Sequence, residues 1–142
     1  MIQDWRRAWG VGDFPFLFVQ LANFTTGPGT RWPELREAQM QTLQLANTGM
    51  AVTIDIGESK DIHPKNKVDV GRRLARWALA ETYRVPGIPC RSPLYKSMAK
   101  QDGKIVLTFE NVTANPAQKA NGWRPFDVSE PRGFAIAGED KK

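Results

Sequence analysis

The chain has 142 residues, of which 41% are hydrophobic and 25% charged, with a net charge of +5. That balance describes one globular domain, or parts of two, and excludes a disordered chain. The basic excess is thinly spread, 11 Lys+Arg against 9 Asp+Glu over residues 1–90 and 9 against 6 beyond, so it makes no clustered patch for nucleic acid.

Ile2, Trp5 and Trp9 recur at helical spacing and predict a helix that Gly10 and Gly12 stop. Phe14 to Leu21 is an apolar, aromatic run, and Pro15 fits only near its start. Unbroken apolarity predicts a strand buried on both faces, as in a parallel sheet covered by helices. The longest fully apolar stretch, Phe14 to Val19, is far too short to span a bilayer.

A Gly-, Thr- and Pro-rich loop over Ala22 to Arg31 leads to a helix. Pro33 suits its first turn, Glu34 and Glu37 its N-terminal end, and it runs to about Leu43. Asn47-Thr48-Gly49 reads as a turn, and Met50 to Ile56 as the second strand. A polar loop follows, then a helix capped by Asn66 with Asp69 as reciprocal partner. Val70, Leu74, Trp77 and Ala78 form its apolar stripe, and it ends near Tyr83.

Pro86-Gly87-Ile88-Pro89 marks a boundary, giving units over 1–90 and 91–142. Beyond it, Leu94 to Ala99 and Ile105 to Val112 read as a hairpin turning at Asp102-Gly103. Ile105, Leu107 and Phe109 alternate with polar or smaller neighbours, which predicts one buried face. Residues 113–132 read as loop and Gly133 to Gly138 as a last short strand.

The richest chemistry lies between the second strand and the third helix, in Asp55-Ile56-Gly57-Glu58-Ser59-Lys60-Asp61-Ile62-His63-Pro64-Lys65-Asn66-Lys67. It holds the sole histidine, His63, with carboxylates two, five and eight residues upstream. Imidazole is the side chain best suited to proton transfer near neutral pH, and a carboxylate can fix its tautomer. Functional groups of open α/β sheets gather at the carboxyl ends of the strands, where this loop begins. Asp61, Asp55 and Glu58 are rivals for the orienting acid. Gln20, at the end of the first strand, lies near the same edge. Arg36 and Gln39 share a helix face, where they can hydrogen-bond a polar ligand such as a sugar. Trp5, Trp9, Trp32 and Trp77 read as core or domain-contact aromatics. Cys90 is alone, so there is no internal disulfide and no cysteine metal site, and with one histidine a metal hydrolase is not expected.

At Asp61-Ile62-His63-Pro64-Lys65-Asn66-Lys67 the chain resembles the sialate O-acetylesterases of the SGNH-hydrolase superfamily. The likeness extends to Asp13–Ala22 and Asn47–Asp55, which resemble core strands, and to Trp32–Gln39, which resembles the intervening helix. Ser92–Lys96 and Ala137–Lys142 resemble the β-rich region that follows the catalytic core.

The resemblance implies an α/β fold: part of a three-layer α/β/α sandwich, then the start of a β-rich module. It implies an esterase acting on acetylated sugars, periplasmic or secreted, with no cofactor and no metal. His63 maps onto the family's histidine. The acid of the wider superfamily often stands three residues before the histidine, where this chain has Lys60; Asp61 stands two before. The family's serine nucleophile and its oxyanion-hole glycine and asparagine belong to earlier blocks that have no counterpart here. Ser59, Ser92, Ser97 and Ser129 occupy loop or strand contexts unlike the nucleophile's. The chain thus reads as a C-terminal piece whose partner is the missing N-terminal segment. A different class of function, a non-catalytic carbohydrate-binding or scaffold module, also fits; an upstream Gly-x-Ser block would decide for the esterase.

Overall fold

The computed structural model describes residues 1–27, 29–112, 134 and 136–138. Helices and strands alternate through the first of two compact units, Met1–Arg91 and Ser92–Lys142. Helix α1 spans Ile2–Trp9 and ends where Gly10 turns left-handed at φ 65°. Its inner side buries Ile2 and, more unusually, Arg6, which is 6% exposed. The Arg6 Nη2 donates to the carbonyls of Phe14, Ala46 and Asn47 at 2.8, 2.9 and 3.1 Å. Asn47 Nδ2 in turn donates to the Asp13 carbonyl at 2.8 Å. One buried cation therefore gathers the chain ahead of both strands, its guanidinium held by main-chain carbonyls.

Strand β1, Phe16–Val19, pairs in parallel with β2, Thr48–Ala51, in the register Phe16↔Thr48 to Val19↔Ala51. Helix α2, Trp32–Gln41, connects them with Pro33 in its first turn, and a 3₁₀ turn over Thr42–Gln44 extends it. This is the parallel pairing that the apolar runs predict, on an α/β plan. Both strands are shorter than expected, and Asp55 is not at a strand end. Past Ala51 the ladder gives way to a side chain: Thr53 Oγ1 donates to the Gln20 carbonyl at 2.6 Å. A turn closed by Ile56 N–H on the Thr53 carbonyl at 3.2 Å follows. Double-sided burial, expected of the first strand, is found instead in β2, where Gly49, Met50 and Ala51 are buried. In β1 the residues Phe16 to Phe18 are only half-buried and Val19 is exposed, because among the described residues β1 pairs with β2 alone.

Helix α3, Lys67–Trp77, packs on this pair and runs on through a π turn, Ala78–Thr82. Its last residue, Trp77, is 3% exposed and donates Nε1 to the Met50 carbonyl at 2.8 Å. Gly49 is what lets the indole in: a Cβ there would lie 2.7 Å from the Trp77 ring. At the other end Asn66 caps the helix, its Oδ1 accepting from Asp69 N–H at 3.1 Å. The return bond runs from Asn66 Nδ2 to the Asp69 carboxylate at 2.8 Å, so the reciprocity is side chain to side chain.

That amide bond, ahead of the nearby arginines Arg72 and Arg73 and against partial desolvation, holds the Asp69 carboxyl below its ordinary 3.8. A carboxyl lowered on folding stabilises the cap above its unfolded value, and the contribution fades as pH falls through the folded one. The Asp69 carboxyl should therefore titrate by NMR with a midpoint below 3.8, and Asn66→Ala should move it back up towards that value. An unmoved midpoint would reject the assigned cause.

In the second unit β3, Leu94–Gln101, and β4, Lys104–Glu110, form an antiparallel hairpin. Asp102 and Gly103 turn it with φ of 50° and 71°, the conformation that makes Asp-Gly a hairpin signal. A register shift between Tyr95 and Ser97 places a bulge at Lys96. The expected buried face of β4 is only partly formed: Leu107 and Phe109 are half-buried, whereas Ile105 is exposed. Of the strand expected over 133–138, residues 134 and 136–138 are described and are not strand, and 133 and 135 lie outside the described residues. The loop expected over 113–132 lies outside them entirely.

Candidate functional site

The loop from Val52 to Asn66 is anchored to the scaffold by backbone and apolar contacts. Ile56 is buried at 8% exposure, and Pro64 is buried beside the histidine. Gly57 lies directly on the backbone of Asn23, where an added Cβ would fall 2.1 Å from the Asn23 oxygen. Two residues on, the Ser59 carbonyl accepts from Thr25 N–H at 3.1 Å. The segment after β1 and the segment after β2 thus lie side by side, and the loop's tip is presented from a fixed base.

Three carboxylates three residues apart take three different partners. Asp55 meets Arg73 of α3 in a forked pair, with both N···O distances 2.6 Å. The Asp55 hydrogen bond is the main cause of a raised Arg73 pKa, opposed by burial. Glu58 accepts from Lys65 N–H at 2.8 Å, with the Lys65 ammonium 3.7 Å from its other oxygen. Asp61 accepts from His63 N–H at 2.8 Å, and the same oxygen lies 3.5 Å from His63 Nδ1.

Spacing alone leaves the three acids as rivals; the geometry separates them. Asp61 closes an Asx-type turn onto the amide two residues ahead, and that turn brings a carboxylate to the imidazole despite the short spacing. The imidazole itself is open, with 84% of its side-chain surface exposed. Such an arrangement can hold Nδ1 beside a negative charge and leave Nε2 for proton transfer.

The other candidates lie at the β1–α2 junction. Gln20 Nε2 donates to the Arg36 carbonyl at 3.2 Å, and Gln39 Oε1 accepts from Leu21 N–H at 3.0 Å. The two glutamine amides fasten helix to strand end, and Arg36 joins them through its backbone. Trp32 donates Nε1 to the Ala22 carbonyl at 3.1 Å, with its ring 5.9 Å from that of Phe24.

Of the serines, Ser59 sits in the histidine loop, Ser92 and Ser97 belong to the second unit, and Ser129 lies outside the described residues. Among the described residues no group of three or more His, Cys, Asp or Glu could hold a metal ion, and no helix is long and apolar enough to cross a membrane. Sequence reasoning missed Arg73, Gly57 and Thr53. Arg73 adjoins the apolar stripe of α3, a position where a cation needs a partner, and that is the signal that could have found it.

No family model matches the chain. It is 29% identical over 131 residues to the sialate O-acetylesterase of Mus musculus, a match covering 78% of this chain and 24% of that protein. It is similar also to the crystal structure of a carbohydrate acetylesterase from Xanthomonas citri, with 45% identity and a TM-score of 0.67. That match covers 78% of this chain and 26% of the other. The chain thus spans about a quarter of the length of the proteins it matches.

Proposed function

We propose that this chain, which belongs to the sialate O-acetylesterase-like family, supplies the histidine-bearing part of an esterase that removes acetyl groups from sialic acids or related sugars. The observation that carries the reading is the Asp61–His63 pair, 3.5 Å apart on a loop anchored by Gly57 and Pro64. Residues 1–90 belong on this reading to a three-layer α/β/α SGNH sandwich, and residues 91–142 open a β-rich module. The rest of the sandwich, with the serine nucleophile and oxyanion donors, comes from a preceding segment of the same protein.

In the reaction, His63 Nε2 takes the serine hydroxyl proton as the oxygen attacks the acetyl carbonyl. The imidazolium then gives that proton to the departing sugar oxygen, leaving an acetyl-serine. Water, deprotonated by the same nitrogen, attacks the acetyl-serine; His63 returns the proton to serine as acetate leaves. Asp61 keeps the proton of the neutral ring on Nδ1 and stabilises the imidazolium between steps. The apo distance of 3.5 Å shortens as charge develops on the ring. Gln20, Arg36 and Gln39 supply polar contacts to the sugar.

This division of labour predicts that the 142-residue chain alone releases no acetate from an O-acetylated sialic acid above the rate of a His63→Ala control, because a base without its nucleophile leaves only residual catalysis. Acetate release followed by NMR checks this. Turnover well above the control would show that the nucleophile is within this chain.

A further inference from the structure

Resting on His63 as the base, we propose that Arg73 is the positioning residue of the reaction, setting the Asp61–His63 pair from the helix behind it. The loop's carboxylates form nested ties. Asp55 meets Arg73 at the base, Glu58 meets Lys65 inside that, and Asp61 meets His63 at the tip. The outermost tie spans 18 residues and is the one that reaches a rigid element. Arg73 Nη1 also donates to the Val52 carbonyl. One guanidinium thus grips the chain leaving β2 at its main chain and at a carboxylate three residues on.

The tie is half-buried, with side-chain exposures of 27% for Arg73 and 30% for Asp55. It is therefore less screened than a surface pair, and its bidentate form fixes direction as well as distance. The inner ties are more exposed and local: Lys65 and His63 show 84% of their side-chain surface. They inherit their place from the base of the loop. A planar fork suits this task and an ammonium does not, since an ammonium acts as a point charge.

The test uses the full-length enzyme. Arg73→Met keeps most of the side chain's length and removes the fork. It should lower kcat by on the order of 10²-fold, the cost of a misplacement of about 1 Å, while KM stays nearly constant. In a His63→Ala background the same substitution should change the residual kcat by less than about two-fold, because groups that act as a unit are not additive. An unaltered kcat, a rise in KM alone, or an equal loss in both backgrounds would each overturn the proposal. If Arg73→Met does not fold, Arg73→Lys carries the test: a roughly ten-fold fall in kcat is expected, since about 1.4 kcal/mol of lost alignment is a tenfold rate, and an unaltered kcat overturns it. A His63→Ala enzyme with normal kcat would instead sink the base assignment itself. Loss in His63→Ala beside normal Arg73 variants would sink only the positioning role.

Discussion

Replacing His63 by Ala in the full-length enzyme should lower kcat by about 10³-fold or more, the scale of triad deletions elsewhere. A serine hydroxyl is a poor nucleophile until a base takes its proton, so the loss falls on the chemical step. KM should move little, because the ring's main contribution is to the transition state. Asp61→Asn should cost less: an amide can still occupy the turn onto the His63 N–H, but it cannot stabilise the imidazolium with a charge. Steady-state kinetics on an O-acetylated sugar measure both. A His63→Ala enzyme with near-normal kcat would end the mechanism. A harmless Asp61→Asn beside an intact His63 effect would remove only the acid.

Gly57→Ala should damage both stability and rate. The added Cβ would sit 2.1, 2.4 and 2.7 Å from the oxygen, nitrogen and carbonyl carbon of Asn23, all of them backbone atoms. No rotamer relieves that clash, so the two segments must separate and strain the Thr25–Ser59 bond. Overpacking of this kind costs about 1–3 kcal/mol. Because the displaced segment carries His63, a shift of about 1 Å should also cost on the order of 10²-fold in kcat. Thermal melts and kcat on the same preparation test this. Wild-type values for both would mean that the close approach does not set the loop.

What the sequence made legible is mostly what local chemistry decides. Gly10 ends α1, Pro33 opens α2, Asn66 caps α3 and Asp102-Gly103 turns the hairpin, each through groups a few residues apart. The parallel pairing of β1 and β2 followed from two apolar runs separated by a helix. Strand lengths did not follow, because they depend on partners: the ladder stops at Ala51 where the Thr53 hydroxyl takes over the Gln20 carbonyl. Arg6 reads as an ordinary helix cation until folding brings it carbonyls 40 and 41 residues away. The candidate site was half legible. His63 stood out as the sole histidine, but spacing could not rank Asp55, Glu58 and Asp61. Folding gives each a different partner, and that of Asp55, Arg73, lies 18 residues away on another element.

The most direct measurement is a crystal structure of the full-length enzyme with its serine labelled by a phosphonate that mimics the tetrahedral intermediate. The account predicts His63 Nε2 within about 2.6–3.2 Å of the labelled serine oxygen, with the Asp61 carboxylate on Nδ1. A labelled serine attended by another base, with His63 standing away from it, would contradict the account.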